Sequence, residues 1–151
     1  MNFFEQEIER FEHFLMQHTI WILATGSRND ISARSMSIIY YGNKIYFQTD
    51  TCFEKCTHIR ENPHVALCCA NYQVKGLAKI LGHGTDKGNA DIMTHYQKVH
   101  PDSYKRYSGR MNHCLIEVVP ESIQIWSYIN GYPYITRIDL VQQTAEFIKY
   151  E

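Results

Sequence analysis

The spacing of hydrophobic positions changes several times along the chain, and each change marks an element. Between residues 2 and 18, Phe4, Ile8, Phe11, Phe14 and Leu15 recur at helical intervals, while Glu5, Glu9, Arg10 and Glu12 fall mostly elsewhere. That is the stripe of an amphipathic helix laid over a core. Thr19 to Thr25 is a nearly continuous apolar run, read as a buried strand. The polar stretch Gly26-Ser27-Arg28-Asn29-Asp30 then reverses the chain. Strict alternation follows. Ser32, Arg34, Met36, Ile38 and Tyr40 take one face of a second strand, and Ala33, Ser35, Ser37, Ile39 and Tyr41 take the other. Gly42-Asn43 predicts a tight hairpin into a third strand, Lys44 to Thr49.

Thr51 followed three residues later by Glu54 fits a capping box, which places Lys55 in the first turn of the next helix. Asn62-Pro63 ends that helix, because the residue before proline avoids the helical region. His64 to Ala70 and Gln73 to His83 read as the fourth and fifth strands. Gly76 inside the fifth signals a bulge or the close approach of another backbone or ligand. Asn89 to His100 reads as a helix stopped at Pro101, and Ser103 to Ser108 as a short turn or helix. Cys114 to Val119 and Ser122 to Tyr128 read as strands linked through Pro120-Glu121. Gly131-Tyr132-Pro133 reads as a turn, and Tyr134 to Leu140 as the last extended piece. Many short strands with helices set among them, and no regular βαβ alternation, argue for an antiparallel Greek-key barrel with helices at its ends. A chain of 151 residues is expected to form one domain over residues 1–151.

Composition narrows the function classes. A net charge of -1 gives no reason to expect nucleic acid, which favours a basic face. No apolar run approaches the roughly 20 residues of a membrane span, and the acidic, amphipathic start is unlike a signal peptide. A cytoplasmic location with no membrane partner is the expectation. The five cysteines are an odd number without a framework of spaced pairs, as for reduced thiols. Cys52, Cys56, His58 and His64 lie close in sequence but lack metal-ligand spacing, so no metal is expected. There is no G-x-S-x-G elbow, H-E-x-x-H helix or phosphate-binding Walker loop, and His83, His95, His100 and His113 are dispersed. No catalytic side chain is assigned.

Two cations carry the candidate chemistry. Lys55 at a helix start opposes the helix macrodipole, and a bound phosphate reverses that sign. Arg34 sits mid-strand between small residues that let a flat ligand approach the backbone. On pattern alone, a surface arginine remains the alternative.

The order of Leu23-Ala24-Thr25, Arg34-Ser35-Met36, Tyr46-Phe47-Gln48-Thr49, Lys55, Asn62-Pro63-His64-Val65-Ala66, Gly76-Leu77-Ala78, Ile116-Glu117-Val118 and Ile123-Gln124-Ile125-Trp126 resembles the pyridoxamine 5'-phosphate oxidase-like, FMN-binding split-barrel family. The resemblance spans roughly residues 5 to 140. It implies a mainly β fold with flanking helices: a six-stranded antiparallel Greek-key split β-barrel, forming a homodimer with FMN at the interface. By residue, it implies that Arg34 and Lys55 hold the phosphate. Thr49, with Gln48 beside it, bonds the phosphate or ribityl chain, and the backbone of Ser35, Met36 and Ser37 follows the isoalloxazine edge. Trp126 approaches the ring from the second subunit, with Asn71 or Gln73 as a partner-side amide. The implied activity is a flavin-dependent oxidoreductase acting on a small organic substrate or reduced nicotinamide. A non-catalytic flavin- or haem-binding module for storage or sensing is the second reading, and a small barrel without cofactor the third. The chain departs from true pyridoxamine phosphate oxidases. It has Ile38 and Ile39 where they carry a basic residue, Glu54 before Lys55, and no Arg-x-His element in Tyr134 to Asp139. These departures count against oxidation of pyridoxamine phosphate itself.

Overall fold

The alternation in residues 20–27 produces a strand with one buried side: Trp21, Leu23, Thr25 and Ser27 of β1 (Ile20–Ser27) are buried. The computed structural model describes residues 1–151. Helix α1 (Phe3–Gln17) packs Phe11 and Leu15 against the core and starts at a capping box. Asn2 Oδ1 accepts from Glu5 N at 2.8 Å, and Glu5 accepts in return from Asn2 N. After β1 come β2 (Asp30–Ser37), β3 (Ile39–Tyr41) and β4 (Lys44–Asp50), then helix α2 (Glu54–Glu61). Strands β5 (His64–Cys69) and β6 (Tyr72–Ile80) precede a short 3-10 turn and helices α3 (Ala90–Val99) and α4 (Pro101–Tyr107). Strands β7 (His113–Ile129), β8 (Tyr132–Asp139) and β9 (Thr144–Lys149) complete the chain.

All nine strands join one antiparallel sheet, in the order β2-β1-β5-β6-β7-β4-β3, with the β8–β9 hairpin branching from β7. Against the six strands that the resemblance implies, the hydrophobic pattern predicts eight; two more arise here, while two of the expected ones fuse across Pro120. The second predicted strand breaks at Ile38 into β2 and β3, and residues 144–149 form a mostly exposed edge strand that hydrophobic alternation does not reveal. The break has a structural cause. Up to Ser37 the chain pairs with β1, and from Ile39 it pairs with β4. Since β2 and β3 are consecutive in the chain yet stand at opposite ends of the strand order, the sheet curls until its ends meet at Ile38. Beyond that corner β2 and β4 approach one another without pairing, and an opening remains between them.

The predicted hairpin at Gly42-Asn43 is present, with φ of +57° and +65°, as a two-residue turn matched to strand twist requires. The expected turn at Gly131-Tyr132-Pro133 lies one residue earlier, at Asn130-Gly131, and Tyr132 opens β8. The two expected strands on either side of Pro120 are one strand, β7. Pro120 has no N–H to donate, and it sits opposite Gly76 where the β6–β7 register shifts. A Cβ at Gly76 would stand 2.4 Å from the Val119 carbonyl oxygen, so the predicted close backbone approach is real. The core fills the curled sheet with Trp21, Leu23, Phe47, Leu67, Val74, Ile116 and Ile123.

Candidate functional site

Register fixes which side chains share the inner face of β1 and β2. Trp21 lies opposite Met36, Leu23 opposite Arg34, Thr25 opposite Ser32, and Ser27 opposite Asp30. The interior therefore turns from apolar to polar along the strand pair, and α2 closes the polar end. Its side chains bond back to the strands one after another: Glu54 to Ser32, His58 to Thr25, and Glu61 to Ser27.

The start of α2 differs from expectation. The N-cap is Phe53, with no side-chain capping bond, so the Thr51–Glu54 capping box does not form. Asp50 explains the delay. Its Oδ1 accepts from Cys52 N at 2.8 Å and its carbonyl accepts from Phe53 N at 3.1 Å, a local turn that postpones helical geometry until Glu54. Lys55 thus lies in the first turn of a helix whose leading N–H groups no side chain caps.

Arg34, Ser35, Met36, Ser37, Gln48, Thr49 and Lys55 all line one cavity of about 310 Å³ in the β2–β4 opening, a volume at the low end for small-ligand sites. Lys55 is 8% exposed; its Nζ donates to Thr49 Oγ1 at 3.1 Å, packs over the Phe53 ring at 4.7 Å, and forms no salt bridge. Burial lowers its pKa, and the neighbouring Arg34 charge lowers it further. Arg34 is also lowered by burial, an effect Glu54 opposes. Three contacts take up part of its N–H fork: Nη1 to Thr25 Oγ1 at 2.7 Å and to the Leu23 carbonyl at 3.4 Å, and Nη2 to Ser32 Oγ at 2.7 Å. The remainder of the fork is left for a ligand. On its cavity side β2 has no strand partner, so alternate backbone groups of Ser35, Met36 and Ser37 lack ladder bonds there, and only the Ser37 carbonyl accepts a side-chain bond, from Tyr96 Oη at 3.5 Å.

Gln48 lines the cavity but spends both ends of its amide on the protein. Its Nε2 donates to the Ser103 carbonyl and hydroxyl at 3.0 and 3.1 Å, while Oε1 accepts from Ser108 Oγ and His113 Nε2, both at 2.7 Å. It pins the α4 segment as a wall of the cavity. His113 Nδ1 accepts from Gly84 N at 3.3 Å, which assigns the neutral Nε2–H tautomer. Burial, reinforced by His83, pushes its pKa down to about 4. Asp50 and Phe53 also border the cavity, and Tyr96, Ser103, Tyr107, Arg110 and His113 complete the lining. Sequence reasoning missed all five, because α3, α4 and the turn into β7 carry no local pattern pointing at a ligand and reach the cavity only through the fold. A usable signal did exist for α2. EKCTHIRE is too polar to pack a purely apolar face, yet Lys55 and His58 are buried.

Asn71 and Trp126 lie elsewhere in the same chain. The Asn71 amide donates to the Trp126 carbonyl, and the Trp126 ring meets Tyr150 edge-on at 5.6 Å. Neither lines the β2–β4 cavity. The sequence neighbours weighed as metal ligands are also dispersed. Cys56 faces Cys114 with 3.8 Å between sulfurs, Cys52 and His64 are exposed, and His58 turns to Thr25 and Asp30. All five cysteines are free thiols. No helix is long and apolar enough to cross a membrane.

The family described as pyridoxamine 5'-phosphate oxidase matches residues 7–127. No curated protein sequence matches significantly. Among solved structures, a pyridoxamine 5'-phosphate oxidase-related, FMN binding protein from Nostoc punctiforme is 14% identical with a TM-score of 0.66, covering 100% of this chain and 98% of that one. General Stress Protein 26 from Bacillus anthracis is 22% identical with a TM-score of 0.61, covering 95% and 99%. HutZ, the heme storage protein of Vibrio cholerae, is 11% identical with a TM-score of 0.66, covering 81% and 94%. At these identities the likeness is one of fold.

Proposed function

The chain belongs to the pyridoxamine 5'-phosphate oxidase family, and on that premise we propose that it binds FMN in the β2–β4 opening and works as a flavin-dependent oxidoreductase on a small organic substrate or reduced nicotinamide. One observation carries the proposal. A buried lysine without a carboxylate partner, a guanidinium with unspent donors and an uncapped helix start border a single cavity. Glu54, 3.7 Å from Arg34 Nη2, and Asp50 in the lining offset part of this positive charge, and what remains in the concave site suits a phosphate.

In this reading Arg34, Lys55 and Thr49 hold the phosphate, and the unpaired edge of β2 at Ser35, Met36 and Ser37 bonds the isoalloxazine rim. Gln48 acts by fixing the α4 wall. A bound flavin supplies two-electron acceptance; the protein supplies its position and its cover from water. Trp126 and Asn71 serve the site from a second copy, in a homodimer built on the outer face of β1, β2 and β5. That face supports the assignment. Ile20, Ile22 and Ile31 are 54%, 49% and 79% exposed there, and exposed Ala33, Ser35 and Cys68 separate them without a charge. Charge depletion around apolar side chains marks the centre of protein interfaces.

Haem binding is the weaker reading for this cavity. Its one histidine, His113, has both ring nitrogens engaged by protein, leaving none for iron. The deciding experiment is the absorbance spectrum of the purified protein, with mass spectrometry of the extracted chromophore. Two flavin bands and the mass of FMN are expected, with bleaching by NADH or NADPH if the protein turns over. A Soret band without flavin, or failure to retain any added FMN, rejects the proposal. Retained FMN that no reductant bleaches leaves a non-catalytic flavin module.

A further inference from the structure

We propose that helix α2 sets both cations of the site, carrying Lys55 itself and steering Arg34 through a positioning relay of Thr25, His58 and Asp30; this rests on the flavin-phosphate reading above. Arg34 Nη1 donates to Thr25 Oγ1 at 2.7 Å, Thr25 Oγ1 lies 2.9 Å from His58 Nδ1, and His58 Nε2 lies 2.9 Å from Asp30 Oδ2. One proton arrangement satisfies all three bonds with a neutral imidazole. An ionised carboxylate only accepts, so Nε2 carries the proton and Nδ1 accepts. Thr25 then donates its hydroxyl proton to Nδ1, and its oxygen lone pairs face the guanidinium. Thr25 and His58 are 2% and 3% exposed, so water does not compete for these bonds.

The second arm has the same design. Ser32 Oγ accepts from Arg34 Nη2 at 2.7 Å and donates its own hydrogen bond to Glu54 Oε1, which forms a looser ion pair with Nη2 at 3.7 Å. Each Nη group therefore meets a hydroxyl with an acceptor behind it. A carboxylate placed directly on the guanidinium would take the donors that a ligand phosphate needs. An interposed hydroxyl fixes the guanidinium plane and leaves those donors free. His58 and Glu54 both belong to α2, so one eight-residue helix orients the strand cation as well as its own.

The same groups admit a rival explanation, because ligand atoms of Asp30, Glu54 and His58 lie within 4.8 Å of one another, close enough for a divalent cation. Flavin-fluorescence titration of FMN and riboflavin against flavin-free protein separates the possibilities. Thr25→Val is expected to weaken FMN about tenfold, the equivalent of one net hydrogen bond, with riboflavin changed less than about twofold. Thr25→Ser keeps the hydroxyl and should restore FMN affinity. Asp30→Asn, at an exposed carboxylate, should weaken FMN about threefold and serves if Thr25→Val does not fold. Equal weakening of both flavins, or an unchanged FMN-to-riboflavin ratio, overturns the relay. So does loss of FMN affinity on adding EDTA to the wild-type protein, which would assign the cluster to a metal. Arg34→Ala separates the two levels of inference. If it discriminates between the flavins while Thr25→Val does not, only the relay is wrong. If it weakens both alike, the phosphate assignment itself fails.

Discussion

Strand β2 shows two environments one residue apart. Its inner side carries Ser32, Arg34 and Met36, and its outer side carries Ile31, Ala33 and Ser35. The inner side concentrates charge and surrounds it with hydroxyls, an imidazole and the start of α2. The outer side is nearly featureless: small or apolar, exposed, and uncharged along β1 and β2. Alternation along a strand is usually read as buried against solvated. In the proposed reading it divides a ligand cradle from a face that a second copy covers. Half of that division is energetically expensive. Lys55 and Arg34 are partly desolvated side by side, and each loses some of its preference for the charged form. Such a cost is sustained where a ligand repays it.

The sharpest way to break the comparison is to remove the charge from the inner side. Arg34→Ala combined with Lys55→Ala deletes charge-assisted bonds worth roughly 1.5–3 kcal/mol each. FMN affinity should fall by a factor on the order of 10² to 10⁴ while riboflavin is nearly unaffected, measured by fluorescence titration. Equal losses would mean that the inner side does not read a phosphate.

Adding charge to the outer side is the converse test. Ile22→Lys together with Ala66→Lys places like charges on adjacent strands of the exposed face, where juxtaposition across an interface costs several kcal/mol. Light scattering should show a dimer becoming a monomer, with weaker FMN retention. A monomeric wild type, or a variant that remains dimeric, would separate that face from the site.

The smallest effect concerns the cavity wall. His113 is held neutral with its pKa near 4, against about 6.5 when unfolded. Its folded pKa is depressed, so its contribution is intact above pH 6.5 and lost as pH falls towards 4. At pH 5 that loss is about 2 kcal/mol. Urea unfolding at pH 7.5 and 5.0 should show it, and His113→Gln should flatten the slope while the outer-face variants leave it unchanged. An identical slope in His113→Gln would assign the acid sensitivity to other groups.

Local chemistry made much of the fold legible. Period-3.6 spacing revealed α1, Gly42-Asn43 the β3–β4 hairpin, and Gly76 the approach to Val119. Patterns that depend on a partner misled. Thr51 and Glu54 form a capping box only if nothing else claims the turn, and Asp50 claims it. Pro120 looks like a strand breaker until Gly76 lies opposite and the register shifts around it. Residues 144–149 form a strand because β8 offers an edge. The site divides in the same way. Arg34, Thr49 and Lys55 stand out by charge, hydroxyl and helix position, whereas His58, Tyr96 and His113 look like any buried or surface residue.

The chain by itself determined its secondary-structure periods, its turns and the two cations suited to a phosphate, because those properties reside in a few neighbouring residues. The tertiary structure alone decided that β2 parts from β4, that α2 closes the polar end between them, and that an arginine on one element and a lysine on another share a cavity. The physical reason is range. A helix stripe or a hairpin is settled within a few residues, whereas the Thr25–His58 bond spans 33 positions and Gln48–His113 spans 65. Contacts at that separation form only once the sheet has curled and its ends have met at Ile38.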